Sequence, residues 1–486
     1  MTLDQRIAAV LAGPRGSSTA AFFDVDGTLI DGYSAGALYS HRLVNGEVGI
    51  SELVQTVRAF VGETLSEAKF EELLETGIAG WVGRPVEDVA ELGERLFRET
   101  VAGTLFHDMW RLVKAHQRLG HRVVIATSAT RMQVEPVARE LGIEDLLCTE
   151  LASEGGLING RIEGRTLWGP GKAAAVLAFA EREGLVLADC FAYANGDEDV
   201  PFLTEVGRPC AVNPQPELAE HAARVGWPVL ELRTRPGRFD PTPALRTAAM
   251  YGTLVGAGVA GVAVGLLSGR KRRGIDLATS LFAQVGSVVG GVEVDIEGEA
   301  HLWSHRPAVF LINHQSSLID LIVATSALRG GFTAVAKREA SQIPLIGQLL
   351  KLADFAFVDR SDSEQARDAL VEAKQRLESG VSVIIAPEGT RSLTPQVGEF
   401  RKGAFHLAMQ AGVPIVPIVI RNAGELMWRN ARTARGGRVD VLVLPPIPTV
   451  GWSKKDLDAA VVRVRALYEE TLADWPVAIA GAEVAR

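Results

Sequence analysis

The chain has 486 residues, and 50 lysines and arginines against 59 acids leave a formal net charge of −9. Hydrophobic content of 47% with 22% charged residues belongs to a folded globular protein of two or three domain-sized units, not to a disordered chain. The net acidity argues against a general nucleic-acid binder. Cys148, Cys190 and Cys210 are too few and too scattered for a disulfide framework or a zinc site, so a reducing cytosol is the expected compartment. The first thirty residues lack the basic, apolar and small-residue succession of a secretory signal.

From about Thr19 to Leu232 short apolar runs alternate with helical stretches. AAFFDVD, HRVVIATSA and LADCFAYANGD read as buried strands ending in polar loops, the pattern of a parallel sheet wrapped by helices. In such sheets chemistry gathers at the carboxyl ends of the strands. Between the first two strands lie SAGALYSHRLV, SELVQTVRAFVG, SEAKFEELLETGIAGWV and PVEDVAELGERLFRETVAG. They form a helical insertion over about residues 32–110, placed to act as a lid.

RTRPGRFDPTPALR, residues 233–246, reads as a linker that closes a first domain of 1–232. Thr247–Ser268 then runs 22 residues without a charge; as a helix it spans about 33 Å, enough for the hydrocarbon core of a bilayer. Arg270-Lys271-Arg272-Arg273 follows and favours the cytoplasmic face. Gly252, Gly256, Gly261 and Gly265, two pairs at four-residue spacing, permit close helix contact, as between the subunits of a homodimer. Leu277, Leu281, Val285 and Val288/Val289 mark one stripe of an amphipathic helix over 276–289. Residues 247–292 are therefore expected to be a membrane-associated two-helix segment, a hairpin that enters one leaflet and leaves on the same side. From 293 to 475, AVFLINH, GFTAVAK, FAFVDR, SVIIAPEG, VPIVPIVI and VDVLVLP read as strands of a second α/β domain, and 476–486 as a loose tail.

Asp24-Val25-Asp26-Gly27-Thr28-Leu29 follows the strand AAFF. Two carboxylates two residues apart at a strand end can divide the work: one attacks phosphorus and helps hold Mg²⁺, the other serves as general acid and then base. Gly27 lets the chain turn sharply, so that backbone N–H groups face a phosphate. On these residues the sequence resembles the haloacid dehalogenase superfamily, in particular its phosphoserine-phosphatase-like branch with a helical cap, over about residues 19–232. The resemblance implies a Rossmann-like sheet, Asp24 as nucleophile and Asp26 as acid/base. It gives Thr127 in VVIATSAT, with Ser128 as nearby competitor, the task of holding a phosphate oxygen. Lys172 in WGPGKAAAV offsets charge on the phosphorylated aspartate, and YANGDEDVPFL binds Mg²⁺, for which the implied ligands are Asp24, Asp26, Asn195 and Asp199. The family often has two acids four apart in this last loop. Here Asn195 holds the first place, Asp199 the second, and Asp197 is an extra acid between them.

Asn313-His314-Gln315-Ser316-Ser317-Leu318-Ile319-Asp320 follows the apolar run AVFLI. An imidazole can take a proton from an alcohol at neutral pH, and a nearby carboxylate can set its tautomer and stabilise the imidazolium. FAFVDR, IIAPEGTRS and VPIVPIVI follow at later strand ends. Together these blocks resemble the glycerolipid acyltransferase family typified by 1-acylglycerol-3-phosphate acyltransferases, over about Leu245 to Trp475. By that resemblance His314 is the general base and Asp320 its orienting partner. Arg360, Glu388, Gly389 and Arg391 shape the site for the acceptor's glycerol phosphate, with Lys337 and Lys402 as further phosphate contacts. Five residues separate His314 from Asp320 where the family usually has four; on a continuous helix one extra position turns a side chain by about 100°.

The expected fold class is therefore α/β: an N-terminal Rossmann-like sheet with helical cap, a membrane-associated hairpin and a C-terminal acyltransferase domain. The expected function is bifunctional. An acyl group passes from acyl-CoA or acyl-carrier protein to lysophosphatidic acid, giving phosphatidic acid, and a Mg²⁺-dependent phosphatase hydrolyses a monoester, both on the cytosolic side of the cell membrane. Two alternatives stand beside it: a phosphatase with a silent, membrane-binding C-terminal domain, and an acyltransferase with a non-catalytic N-terminal dimerisation domain.

Overall fold

The computed structural model describes residues 1–45, 67–232, 240–358 and 363–475. They fall into two compact units, Met1–Gly237 and Arg238–Arg486. The predicted helix at 51–62 and the tail at 476–486 lie outside the described residues.

The first unit is built on β1 (Ala20–Phe23), β2 (Arg122–Thr130), β3 (Asp145–Glu154), β4 (Leu157–Glu163), β5 (Phe191–Ala194), β6 (Arg208–Val212) and β7 (Val229–Leu230). Their order across the sheet is β4-β3-β2-β1-β5-β6-β7. All pairs are parallel except β3 with β4. β1 is central and all four of its residues are buried, which is why it reads as an unbroken apolar run. Phe22 meets Phe179 and Phe202 edge to face on one side, and Phe23 stacks on Tyr193 on the other.

The β3–β4 hairpin escapes the sequence reading because its residues are largely half-exposed and carry no continuous apolar run. Gly155 and Gly156, both at positive φ, close its turn. The insertion leans on this hairpin: Gly83 N–H donates to the Ile158 carbonyl and Val86 N–H to that of Gly156. Ile158 joins Leu38, Trp81, Val89, Leu92 and Leu96 in a separate apolar cluster. The insertion thus has its own small core, distinct from the one under the main sheet.

The second unit carries β8 (Val292–Glu297), β9 (Val309–Ile312), β10 (Phe332–Lys337), β11 (Ala356–Val358), β12 (Ser382–Ile385), β13 (Ile415–Ile420) and β14 (Gly437–Val443), ordered β11-β10-β12-β9-β13-β14-β8. Only β13 with β14 is antiparallel. β9, β12 and β13 are buried throughout, so the chain leaves the centre of the sheet at Asn313.

Ahead of β8 the helix Thr242–Leu267 begins five residues earlier than the charge-free stretch, taking up the end of the predicted linker. A second helix runs over Lys271–Leu281 and continues through a π-turn at Phe282–Gly286 to Gly290. The basic run is therefore not a free flank: Lys271–Arg273 open this second helix. Lys271 pairs with Asp354, and Arg272 donates to the Phe332 carbonyl at 2.8 Å. A β-carbon on Gly261 would stand 2.5 Å from the Gly274 carbonyl oxygen, and one on Gly274 would stand 2.2 Å from that of Gly261. These glycines bring the two helices of one chain together, whereas Gly252 and Gly256 face open space. Among the described residues Thr242–Leu267 is the one helix long and apolar enough to cross a membrane. Leu245, Val259, Leu266, Leu267 and, from the second helix, Val288 are well exposed.

Candidate active sites

In the first unit the carboxyl end of β1 delivers Asp24, whose N–H is held by the Tyr193 carbonyl of β5 at 3.0 Å. Lys172 comes from the first turn of the helix Pro170–Glu183, entered through Gly169 at φ +51°. Its side chain is only 2% exposed, and Nζ donates to Asp24 Oδ1 at 3.0 Å and to Asp199 Oδ1 at 2.5 Å. Burial pushes the Asp24 carboxyl up to about 7, with Asp199 and Asp26 adding to the rise and Lys172 opposing it. Burial works to lower Lys172, but Asp199 and Asp24 outweigh it and hold the ammonium above the ordinary lysine range.

Asp26 points elsewhere, accepting from Ser34 N–H at 2.7 Å and Ser34 Oγ at 3.2 Å. Gln133 Nε2 donates to the same Ser34 Oγ at 3.0 Å, tying Asp26 to the first helix of the insertion. Burial raises Asp26 to about 6 against those two Ser34 bonds and Lys172. A carboxyl poised there can exchange a proton near neutrality. Asn195 braces the loop: Thr28 Oγ1 donates to its Oδ1 at 3.4 Å, and a β-carbon on Gly27 (φ +73°) would stand 2.1 Å from its Nδ2. Asp197 accepts from Leu218 N–H at 2.7 Å and thus caps the helix Pro216–Val225. Thr127 is buried just beyond the last β1–β2 pair, Phe23 with Ile125. Ser128 is bound through its carbonyl by Thr149 Oγ1. Sequence reading missed Ser34, Gln133 and Glu198, whose carboxyl burial and Asp199 raise to about 7.

Among the described residues no three His, Cys, Asp or Glu side chains gather as a metal site. Mg²⁺ needs only one or two carboxylates and keeps several waters. Asp24 and Asp199 converge on Lys172, two buried carboxyls against one ammonium, a surplus of negative charge that suits a cation. The side chains of Asp26 and Asn195 are engaged with Ser34 and Thr28 instead.

In the second unit β9 hands the chain to Asn313, which is locked by a reciprocal pair of 2.7 Å bonds with the backbone of Ile420 on β13. Ser316 caps the helix Ser317–Leu328, its Oγ accepting from Ile319 N–H. His314 Nδ1 lies 2.7 Å from Asp320 Oδ2; the imidazole is 25% exposed and the carboxylate 3%. Asp320 Oδ2 also accepts the N–H groups of Gln315 and Ser316, both at 3.0 Å. The extra residue is absorbed because His314 and Gln315 precede the helix. Asp320, in the first turn, reaches back over the helix N-terminus, where a negative charge is favoured.

Glu388 does not face the solvent side of this site. One oxygen accepts His314 N–H at 2.7 Å and the other accepts Ser392 Oγ and Gly398 N–H, both at 2.8 Å. A buried carboxylate committed to three donors builds the loop that carries His314. Ser392 N–H returns to the His314 carbonyl at 2.7 Å, which sets Arg391 beside the histidine loop, and Gly389 turns the chain at φ +74°. Arg391 Nη1 donates to the Arg429 carbonyl. Arg360 lies outside the described residues. Lys337 is exposed and paired with Glu339, on a strand separated from β9 by β12, and Lys402 is exposed and paired with Asp458, so neither is brought to His314.

Fold and sites define a fused two-unit enzyme, with a buried Asp–Lys–Asp centre on the Rossmann-like sheet of the first unit and a His–Asp dyad on the mixed sheet of the second. The model of the haloacid dehalogenase-like hydrolases matches residues 21–204, and that of the Acyltransferase family matches 293–421. A phosphoserine phosphatase of Mycobacterium tuberculosis is 32% identical over 250 residues, 49% of this chain and 79% of that protein. A 1-acyl-sn-glycerol-3-phosphate acyltransferase of Saccharomyces cerevisiae is 30% identical over 234 residues, 47% of this chain and 77% of that protein. The alpha enzyme of the same description from Ovis aries is 39% identical over 176 residues, 36% of this chain, and the chain spans 61% of its length. Among solved structures, the 1-acyl-sn-glycerophosphate acyltransferase of Thermotoga maritima aligns at 25% identity over 48% of this chain and 97% of that one, with a TM-score of 0.41. The chain belongs to the haloacid dehalogenase-like hydrolases through its first unit and to the acyltransferases through its second.

Proposed function

We propose that the second unit transfers an acyl group from acyl-CoA or acyl-carrier protein to the free hydroxyl of 1-acyl-sn-glycerol 3-phosphate, giving phosphatidic acid. The observation that carries this reading is the 2.7 Å bond between His314 Nδ1 and a nearly buried Asp320, which leaves Nε2 on the partly exposed side of the ring. Asp320 keeps the proton on Nδ1, so Nε2 is free to take one from the acceptor hydroxyl. The resulting alkoxide attacks the thioester carbonyl, and the thiol leaves with a proton returned by the imidazolium. A thioester is already activated, so no acyl-enzyme is required. Arg391 is the acceptor-phosphate contact. The direct test is acyl transfer to lysophosphatidic acid in detergent or liposomes by wild type and His314→Ala; equal rates would remove the assignment.

In the first unit Asp24 attacks the phosphorus of a monoester, and Asp26 protonates the leaving alcohol and then deprotonates the water that hydrolyses the aspartyl phosphate. Asp26 is suited to both steps because burial raises its pKa to about 6. Lys172 steadies charge on Asp24 and the phosphoryl oxygens, and Thr127 contacts one of them. Asp24 and Asp199 would hold Mg²⁺, which when bound neutralises phosphoryl charge. Mg²⁺-dependent phosphate release from phosphoserine or lysophosphatidic acid, lost in Asp24→Asn, is the check.

The exposed apolar face of the helix pair is the membrane-binding element of this reading, on the cytosolic side. The bend holds Arg270–Arg273 and is tied to Asp354 and Phe332, so insertion by the tip would carry charges into hydrocarbon at high cost. A pair lying along one leaflet keeps that run at the headgroups.

A further inference from the structure

The loop after β13 places a second guanidinium beside Arg391. Arg391 Nη1 donates to the Arg429 carbonyl at 2.5 Å, and Arg429 Nη1 donates to the Arg391 carbonyl at 2.8 Å. Each arginine is thus positioned by the other's backbone. The same loop is fastened at two more points to the segments that follow His314 and Arg391: Gly424 N–H donates to Gln315 Oε1 at 3.0 Å, and Trp428 Nε1 to the Leu393 carbonyl at 2.7 Å. His314 is one step away, through the Ser392 bond to its carbonyl.

Neither guanidinium has a carboxylate partner among the described residues, and Glu388, the nearby acid, spends both oxygens on His314, Ser392 and Gly398. Arg429 Nε is buried with no hydrogen-bond partner. Burial, and then the charge of Arg391, hold the Arg429 guanidinium below its ordinary pKa. Such a pair is costly unless an anion completes it, and two planar forks match the several oxygens of a phosphate monoester dianion.

We infer that Arg429 is a specificity-determining residue of the acyl-transfer site, closing with Arg391 on the acceptor's phosphate and selecting phosphate-bearing over uncharged acceptors. This rests on the acyltransferase reading above. The test uses the full chain, with acyl transfer to lysophosphatidic acid and, separately, calorimetric binding of glycerol 3-phosphate. Arg429→Gln should raise KM for lysophosphatidic acid and weaken glycerol 3-phosphate binding, each by about 10- to 100-fold, with kcat little changed. Arg429→Lys should recover part of both, since it restores charge without the fork, and Arg432→Gln should behave as wild type. Unchanged KM and affinity in a folded Arg429→Gln, or a loss confined to kcat, would overturn the inference; if that variant does not fold, Arg429→Lys at wild-type affinity would do so. Should wild type acylate nothing, the acyltransferase reading fails by itself. The binding arm still decides on the clamp, and no glycerol 3-phosphate binding by wild type would sink it.

Discussion

Asp320 Oδ2 stands 2.7 Å from His314 Nδ1 even though five residues intervene where the family usually has four. The same oxygen is gripped by two loop N–H groups, while Oδ1 is buried without a partner, so the carboxylate is aimed by the backbone and not by helix phase. Asp320→Asn should keep the fold and, with its amide oxygen in the place of Oδ2, the three bonds and the tautomer, but it removes the negative charge that stabilises the imidazolium. Acyl transfer should fall by about 10²- to 10⁴-fold with phosphate release unchanged.

Glu388→Gln separates a building role from a binding one. An amide cannot accept on both sides, so its NH₂ would meet the Gly398 N–H or the His314 N–H now bonded to the carboxylate. A loss of about 1–3 kcal/mol in stability is expected, together with a fall in kcat. A rise confined to KM for lysophosphatidic acid, with unfolding unchanged, would return Glu388 to the acceptor.

Lys172→Met removes the cation bonded to both Asp24 and Asp199. Breaking a buried charge set in this way costs about 3–5 kcal/mol. Thermal unfolding of the first unit should drop sharply and phosphate release disappear, while acyl transfer by the second unit persists. Added Mg²⁺ should restore more stability to this variant than to wild type, because the carboxylates it leaves unpaired are those that would hold the ion.

The helix pair has a paired test of its own. Gly261→Leu forces a side chain into the Gly274 backbone and should disrupt the hairpin, lowering recovery in the membrane fraction. Gly252→Leu meets open space and should be tolerated. Equal tolerance of both changes would show that the helices do not approach at these glycines.

A pH dependence follows from a buried chain of hydrogen bonds in the first unit. His121 Nε2 must donate to the Pro14 carbonyl, so its Nδ1 accepts from His116 Nδ1, and His116 Nε2 accepts from the Tyr193 hydroxyl. Burial first, then His121 and Arg6, push His116 well below 6.5, and burial also lowers His121. Both are neutral in the fold and protonate in the unfolded chain below about 6.5. Their contribution is therefore present above that pH and is lost as pH falls, by at most about 1.4 kcal/mol per pH unit for each. Asp24 and Asp26, with raised pKa values of about 7 and 6, act with the opposite sign, their cost growing as pH rises from 3.8. His116→Gln isolates the histidine part: its Tm should fall less than that of wild type between pH 7 and 5.5.

The two α/β halves, the apolar helix and the two candidate-site loops were legible in order of residues alone. Central strands such as β1, β9 and β13 bury both faces and so announce themselves as continuous apolar runs. An aspartate or a histidine placed directly after such a run is an unusual use of charge. The β3–β4 hairpin and β8 were not legible, because partly exposed strands mix polar and apolar residues and depend on their neighbours for pairing.

Tertiary structure decided what spacing could not. It turned Asp26 to Ser34 and Asp197 to a helix cap, gave Glu388 to the loop beneath His314, and resolved the altered His–Asp interval into a direct bond. It also set Arg429 against Arg391 from 38 positions away. Residue types state what chemistry a side chain can perform, and periodicity states which element carries it. The partner that a buried charge meets depends on where separate strands and loops converge, and only the packed backbone specifies that.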